Sequence, residues 1–195
     1  MSLVLHVTRG DKDLSPNEHI LTPTGGIVRG KCLECDGVDD RILFSAGTEE
    51  EGTVSMWISP DDAADSGTTL SQRIWYGTNA NRSEIMYAAA NGVLRFSIDN
   101  GGWTNLDTNK DTWIANAWYF LVFIWDGEDN YIYVDGDLDN SVSDDAGSVS
   151  LNGVTIGGRV GQNHFDGKID DIRIYSVAKS AAWIKRYYEM TKGQY

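Results

Sequence analysis

The stretch from Phe165 to Tyr175 leaves this chain little choice of fold. After an Asp166-Gly167 turn it alternates. Ile169, Ile172 and Ile174 are apolar, while Lys168, Asp171, Arg173 and Tyr175 are polar or amphipathic. Period two over this length is a half-buried strand rather than a helix. The alternation slips once near Asp170-Asp171, which predicts a β-bulge. A strand this long and this near the C-terminus is expected in the middle of a sheet, paired with chain from the other end.

The rest of the sequence repeats the theme in shorter pieces. Leu3 to Val7 reads as a first strand, and Cys32 to Cys35 and Arg41 to Phe44 as short strands about the turn Asp36-Gly37-Val38-Asp39-Asp40. Thr53 to Ser59 alternates until Pro60-Asp61-Asp62 ends it. Leu70 to Tyr76 and Glu84 to Ala89 are strand-like, and Asn91-Gly92 is a hairpin signal before Val93 to Ile98. Asn100-Gly101-Gly102-Trp103 reads as a turn. Ala117 to Trp125 is nearly continuous in apolar residues, as a strand covered on both faces would be. Tyr131 to Val134 and Val154 to Gly157 follow. The one helix expected is Ala178 to Met190, with Ser180 as N-cap and Trp183, Ile184 and Tyr187 on one face. About a dozen short, turn-marked strands and a terminal helix predict an all-β, two-sheet antiparallel sandwich in one domain over residues 1–195.

Charge narrows the partners. The formal net charge is −13, which argues against nucleic acid, whose backbone needs clustered Lys and Arg, and equally against anionic membranes. No transmembrane run is present. The apolar start, Leu3 to Val7, is broken by His6 and too short for a signal-peptide core. The chain therefore travels without a classical secretion signal or has lost one, and an extracellular or virion-surface location is expected. Cys32 and Cys35 are three apart on a strand and face opposite ways, so they are expected to be structural thiols. Arg9-Gly10-Asp11 spells an adhesion tripeptide, and Asn81-Arg82-Ser83 a glycosylation sequon; both are short enough to arise by chance.

Four segments in order resemble the laminin-G-like, concanavalin A-like jelly-roll family. They are Cys32-Leu33-Glu34-Cys35-Asp36-Gly37-Val38-Asp39-Asp40, where a Cys takes the usual Phe place, and Gly52 to Pro60; then Trp118 to Gly127 with Tyr131 to Gly136, and Phe165 to Ser180. The resemblance implies the jelly-roll sandwich. It also implies a structural Ca2+ joining the N-terminal loop to the last long strand. Asp170 stands at the family's carboxylate, and Asp13, Ser15 and Asn17 match its Asp-x-Ser-x-Asn loop. The alternative is that Asp170 caps the bulge by accepting backbone N–H bonds. Asp39 and Asp40 read as turn-forming carboxylates.

For function, aromatics outside strand cores carry the reading, because sugar rings stack on aromatic faces and polar neighbours fix their hydroxyls. Trp103, flanked by Asn100 and Asn105, is the leading ligand contact, with Trp75, Tyr76, Trp113 and His164 behind it. The competing role for Trp103 is to cover a sheet edge. Glu34, Asp36 and Asp39 nearly spell the carboxylate signature of retaining glucanases, but the last position is one methylene short. The expected function is a non-catalytic recognition or adhesion module for carbohydrate or glycoconjugate, stabilised by calcium. The alternatives are a surface subunit of a larger assembly, such as a phage capsid decoration or tail protein, and a glycoside hydrolase.

Overall fold

The computed structural model describes residues 3–7, 13–26, 28–29, 32–68, 70–87, 91–143 and 147–195, with backbone alone at 28–29. Arg9-Gly10-Asp11, and the Ala88 and Ala89 end of one expected strand, lie outside the described residues. In chain order the strands are β1 (Leu3–Val7), β2 (Thr22–Thr24), β3 (Val28–Arg29), β4 (Leu33–Asp36), β5 (Arg41–Phe44) and β6 (Thr48–Glu49). Then come β7 (Gly52–Pro60), β8 (Gln72–Gly77), β9 (Arg82–Tyr87), β10 (Arg95–Asp99), β11 (Trp103–Asp107) and β12 (Tyr119–Trp125). The last are β13 (Asp129–Val134), β14 (Asp137–Ser143), β15 (Val149–Ser150), β16 (Val154–Ile156) and β17 (Asp166–Tyr175), followed by helix α1 (Ala181–Thr191).

Two large antiparallel sheets result, and β6 and β15 pair as a small third. The first runs β14-β13-β12-β7-β17-β4-β3, with β1 also on β17; the second runs β11-β10-β9-β8-β16-β5-β2. The strand β17 organises the first sheet as its alternation predicts. One edge pairs with β7 along its length, and the other pairs with β4 over Asp166–Ile169 and then with β1. The expected bulge falls between Asp170 and Arg173, where Asp171 takes a φ of 48°.

Between the sheets lies a core of Leu5, Phe44, Met56, Trp75, Ile85, Phe123, Ile169 and their neighbours. A second apolar cluster sits on the outer face of the first sheet, where α1 covers it. Trp57, Phe120, Val122, Ile124 and Tyr133 pack there with Ile184, which is fully buried. Every residue of β7 and β12 is therefore buried, because one face meets the sandwich core and the other meets the helix. Ser180 caps α1 as expected, its Oγ accepting from Trp183 N–H at 3.3 Å. At Gly52 the packing leaves no room for a side chain, since an added Cβ would lie 2.2 Å from the Trp125 ring. Both cysteines are buried and free. Among the described residues, no helix is long and apolar enough to cross a membrane.

Candidate functional site

The helix covers the outer face of one sheet and leaves that of the other to polar side chains. On the second sheet, strand alternation sends Ile85, Phe96, Ile98 and Leu106 inward. The intervening residues point out. Register then stacks them in rows across four strands: Tyr76, Glu84, Ser97 and Asn105 in one, and Arg82, Asp99 and Trp103 in the next. With Arg73, Met86 and Arg159, most of these line a groove of about 420 Å³.

Its electrostatics are set by arginines. Arg73 Nε donates to Glu84 Oε2 at 2.9 Å, and an Arg82 terminal nitrogen pairs with Asp99 Oδ2 at 2.9 Å. The Arg82 guanidinium also lies over the Trp103 ring, 5.0 Å from its centre. Its Nε is buried and has no hydrogen-bond partner among the described residues. Ser97 Oγ donates to Asn105 Oδ1 at 2.7 Å. The site thus offers an exposed indole (43 % exposed), a hydroxyl–amide pair and guanidinium donors in one concavity.

The sequence-derived ligand contacts divide here. Trp103, Asn105 and Tyr76 meet in the groove. Trp103 is not in a turn as expected; it opens β11 and pairs with Asp99. Tyr76 is buried, with the guanidinium groups of Arg159 and Arg73 over its ring at 4.9 and 5.7 Å, so it forms floor rather than platform. Trp75 is corrected: the irregular register between β8 and β9 turns it into the core, where its Nε1–H donates to Ser83 Oγ. Trp113 is likewise core, donating to Gly92 O. Asn100 stands in the β10–β11 turn outside the groove lining. His164 is buried. The arginines were missed; Arg82 alone sits in an alternating run, Arg82-x-Glu84-x-Met86, that signals its face.

The four expected calcium ligands are committed to protein partners. Asp13 Oδ1 accepts the N–H groups of His6 and Ser15, and Oδ2 accepts His19 N–H, Ser15 Oγ–H and the His19 ring nitrogen. Asn17 Nδ2 donates to the carbonyls of Leu3 and Val4, and Ser15 Oγ lies 3.0 Å from Val4 O. Asp170 takes the bulge-capping role: Oδ1 accepts Asp171 N–H at 2.8 Å and Oδ2 accepts the Tyr195 hydroxyl at 3.0 Å. These bonds tie the N-terminal loop to β1 and cap the bulge of β17. Of the glucanase-like trio, Glu34 is exposed and Asp36 Oδ1 accepts Val38 N–H at 2.9 Å as a turn former.

A profile of the concanavalin A-like lectin/glucanases superfamily matches residues 36–185. Among curated proteins none matches. Among solved structures, the receptor-binding domain of botulinum neurotoxin D superposes with a TM-score of 0.74 at 18% identity, over 97% of this chain and 53% of that one. The ligand-binding domain of botulinum neurotoxin serotype D, in complex with N-acetylneuraminic acid, gives 0.76 at 17% identity over 97% and 51%. The receptor-binding domain of the C/D mosaic serotype gives 0.73 at 17% over 97% and 51%. The chain spans about half the length of each, and at these identities the likeness is one of fold.

Proposed function

The chain belongs to the concanavalin A-like lectin/glucanase superfamily, and from that premise we propose that it is a non-catalytic carbohydrate-recognition module reading glycans in the groove of the second sheet. One observation carries the reading: Trp103 keeps 43 % of its surface exposed beside Arg82, Ser97 and Asn105 in a concave site. An indole face accepts the C–H surface of a sugar ring, and the neighbouring donors and acceptors fix its hydroxyls. Three lining arginines against Glu84 and the adjacent Asp99 leave the site net positive, which favours a sugar bearing a carboxylate or sulfate. The neurotoxin domain solved with N-acetylneuraminic acid supports that class by fold likeness. A glycan reader of this kind acts at an outer surface, extracellular or on a virion.

A glycan array with sialylated, sulfated and neutral members tests this. Binding of an acidic glycan is expected. In Trp103→Ala it should weaken at least tenfold, about 1.4 kcal/mol, while thermal unfolding stays close to the parent. Unchanged affinity in that variant removes Trp103 from the site. Incubation with a β-glucan should release no reducing sugar; release that Glu34→Gln abolishes would restore the hydrolase. A folded sample that binds no glycan and forms oligomers in light scattering would instead favour the assembly-surface role.

A further inference from the structure

Away from the groove, the turn from β4 to β5 crosses from the first sheet to the second, and the segment from β2 to β3 crosses back beside it. Three carboxylates gather at this crossing. Asp36, Asp39 and Asp40 each offer an oxygen within 4.8 Å of the others. Such clusters are common on acidic surfaces, but this one contains a buried member. Asp40 is 2 % exposed, its Oδ2 accepts Asp36 N–H at 3.1 Å, and its Oδ1 is buried with no hydrogen-bond partner among the described residues. An unpartnered buried carboxylate oxygen is among the costlier things a fold can hold.

The backbone opposite leaves space for what is missing. Gly25, at φ 81°, has no Cβ; one built there would lie 2.5 Å from Asp40 Oδ1 and 2.8 Å from Asp39 Oδ1. The two oxygens therefore converge over the glycine, and a side chain would obstruct them. Asp36 and Asp40 also line a cavity of about 340 Å³ together with Glu34, Asp61 and Asp166. The basic groups nearby are turned elsewhere: Lys168 pairs with Asp61 at 3.2 Å, and Arg41 donates to the Asp39 carbonyl at 3.1 Å. Among the described residues no ion pair reaches Asp36, Asp39 or Asp40.

We infer that Asp36, Asp39 and Asp40 bind a hard divalent cation that staples the two sheets where the chain crosses between them. The donor set is all oxygen, which suits Ca2+ and not Zn2+, and an exposed side leaves room for water ligands. This site differs from the N-terminal one implied by family resemblance, and it does not depend on the glycan groove.

The test is thermal unfolding of the full chain with CaCl2 alone as probe, against the same protein in EDTA. At a hundredfold excess over Kd, Ca2+ is expected to raise Tm by about 5–10 °C. Asp39 is exposed, so Asp39→Asn should fold and lose the shift at that concentration. Asp40→Asn removes the unpartnered charge, so it should raise Tm in EDTA and also abolish the shift. Asp170→Asn should keep it. No shift in the parent protein, or one that survives Asp39→Asn, overturns the assignment; loss in Asp170→Asn alone would move the cation to the N-terminal loop.

Discussion

Asp13 and Asp171 are small features with a large share of the long-range wiring. Asp13 gathers a loop around itself through bonds from His6, Ser15 and His19. Asp171, forced out of the β17 alternation at the bulge, accepts His6 Nε2 at 3.0 Å, Arg173 Nε at 2.8 Å and the Tyr187 hydroxyl. One histidine thus links the first strand, the loop and the last strand, and one tyrosine adds the helix. Burial alone would push the Asp13 carboxyl up, but the bonds from His6, Ser15 and His19 outweigh it and hold it down at about 2. Burial likewise pushes against Asp171, and His6, Tyr187 and Arg173 hold it below the usual range. A carboxyl depressed in the folded state stabilises the fold above its unfolded value near 4, and loses that contribution as pH falls toward 2. Asp13 should contribute about 2 kcal/mol in this way. Urea unfolding between pH 5 and pH 2 checks it: the parent should weaken steeply across that window, and Asp13→Asn should be less stable at pH 5 with a flatter slope. An equal slope in the variant would mean that Asp13 titrates no differently when folded.

Among the elements, α1 decides how the first sheet is finished. Without it, Trp57, Phe120, Val122 and Ile124 would face water on an open β surface. Ile184 is its anchor, and Ile184→Ala should cost about 2–5 kcal/mol in denaturant unfolding while leaving the groove's glycan affinity unchanged. A cost under about 1 kcal/mol would show that the aromatic stack of Trp57, Tyr188 and Tyr195 holds the helix without it. The strands β17, β12 and β7 and the helix were legible in sequence because each buries enough apolar surface to impose its period. The strand β14, Asp-Leu-Asp-Asn-Ser-Val-Ser, was not: it is a sheet edge held mainly by backbone pairing, with little periodic burial. The strand β11 was missed because Leu106 alone among its residues is buried. The groove was half legible for a different reason. Trp103 and Asn105 are neighbours in sequence, whereas Arg73, Arg82 and Arg159 join them only through the register of four strands and a loop. Trp75 was misplaced because an irregular register shifts alternation by one, which sequence cannot reveal.

On the scale of the whole molecule, the groove is a local reversal of sign. The chain carries −13, yet three arginines line the candidate site against Glu84 and the adjacent Asp99. These two fields act at different ranges. At contact, the partly buried guanidinium groups attract an acidic sugar and are only weakly screened. At encounter distance the net charge repels it, and that repulsion lies mostly in water, where salt screens it. The two therefore separate in kinetics. Between about 0.01 M and about 0.15 M salt the Debye length falls from about 30 Å to about 8 Å. Over that range the association rate for a sialylated glycan should rise about twofold, and the rate for a neutral glycan should stay flat. Surface plasmon resonance on immobilised protein separates the rates. An association rate that falls with salt would mean that the arginine field extends beyond the groove and steers the ligand in, as it does where a whole face is basic. The expected pattern instead describes an acidic particle that selects its ligand after collision, by the residues of one sheet face.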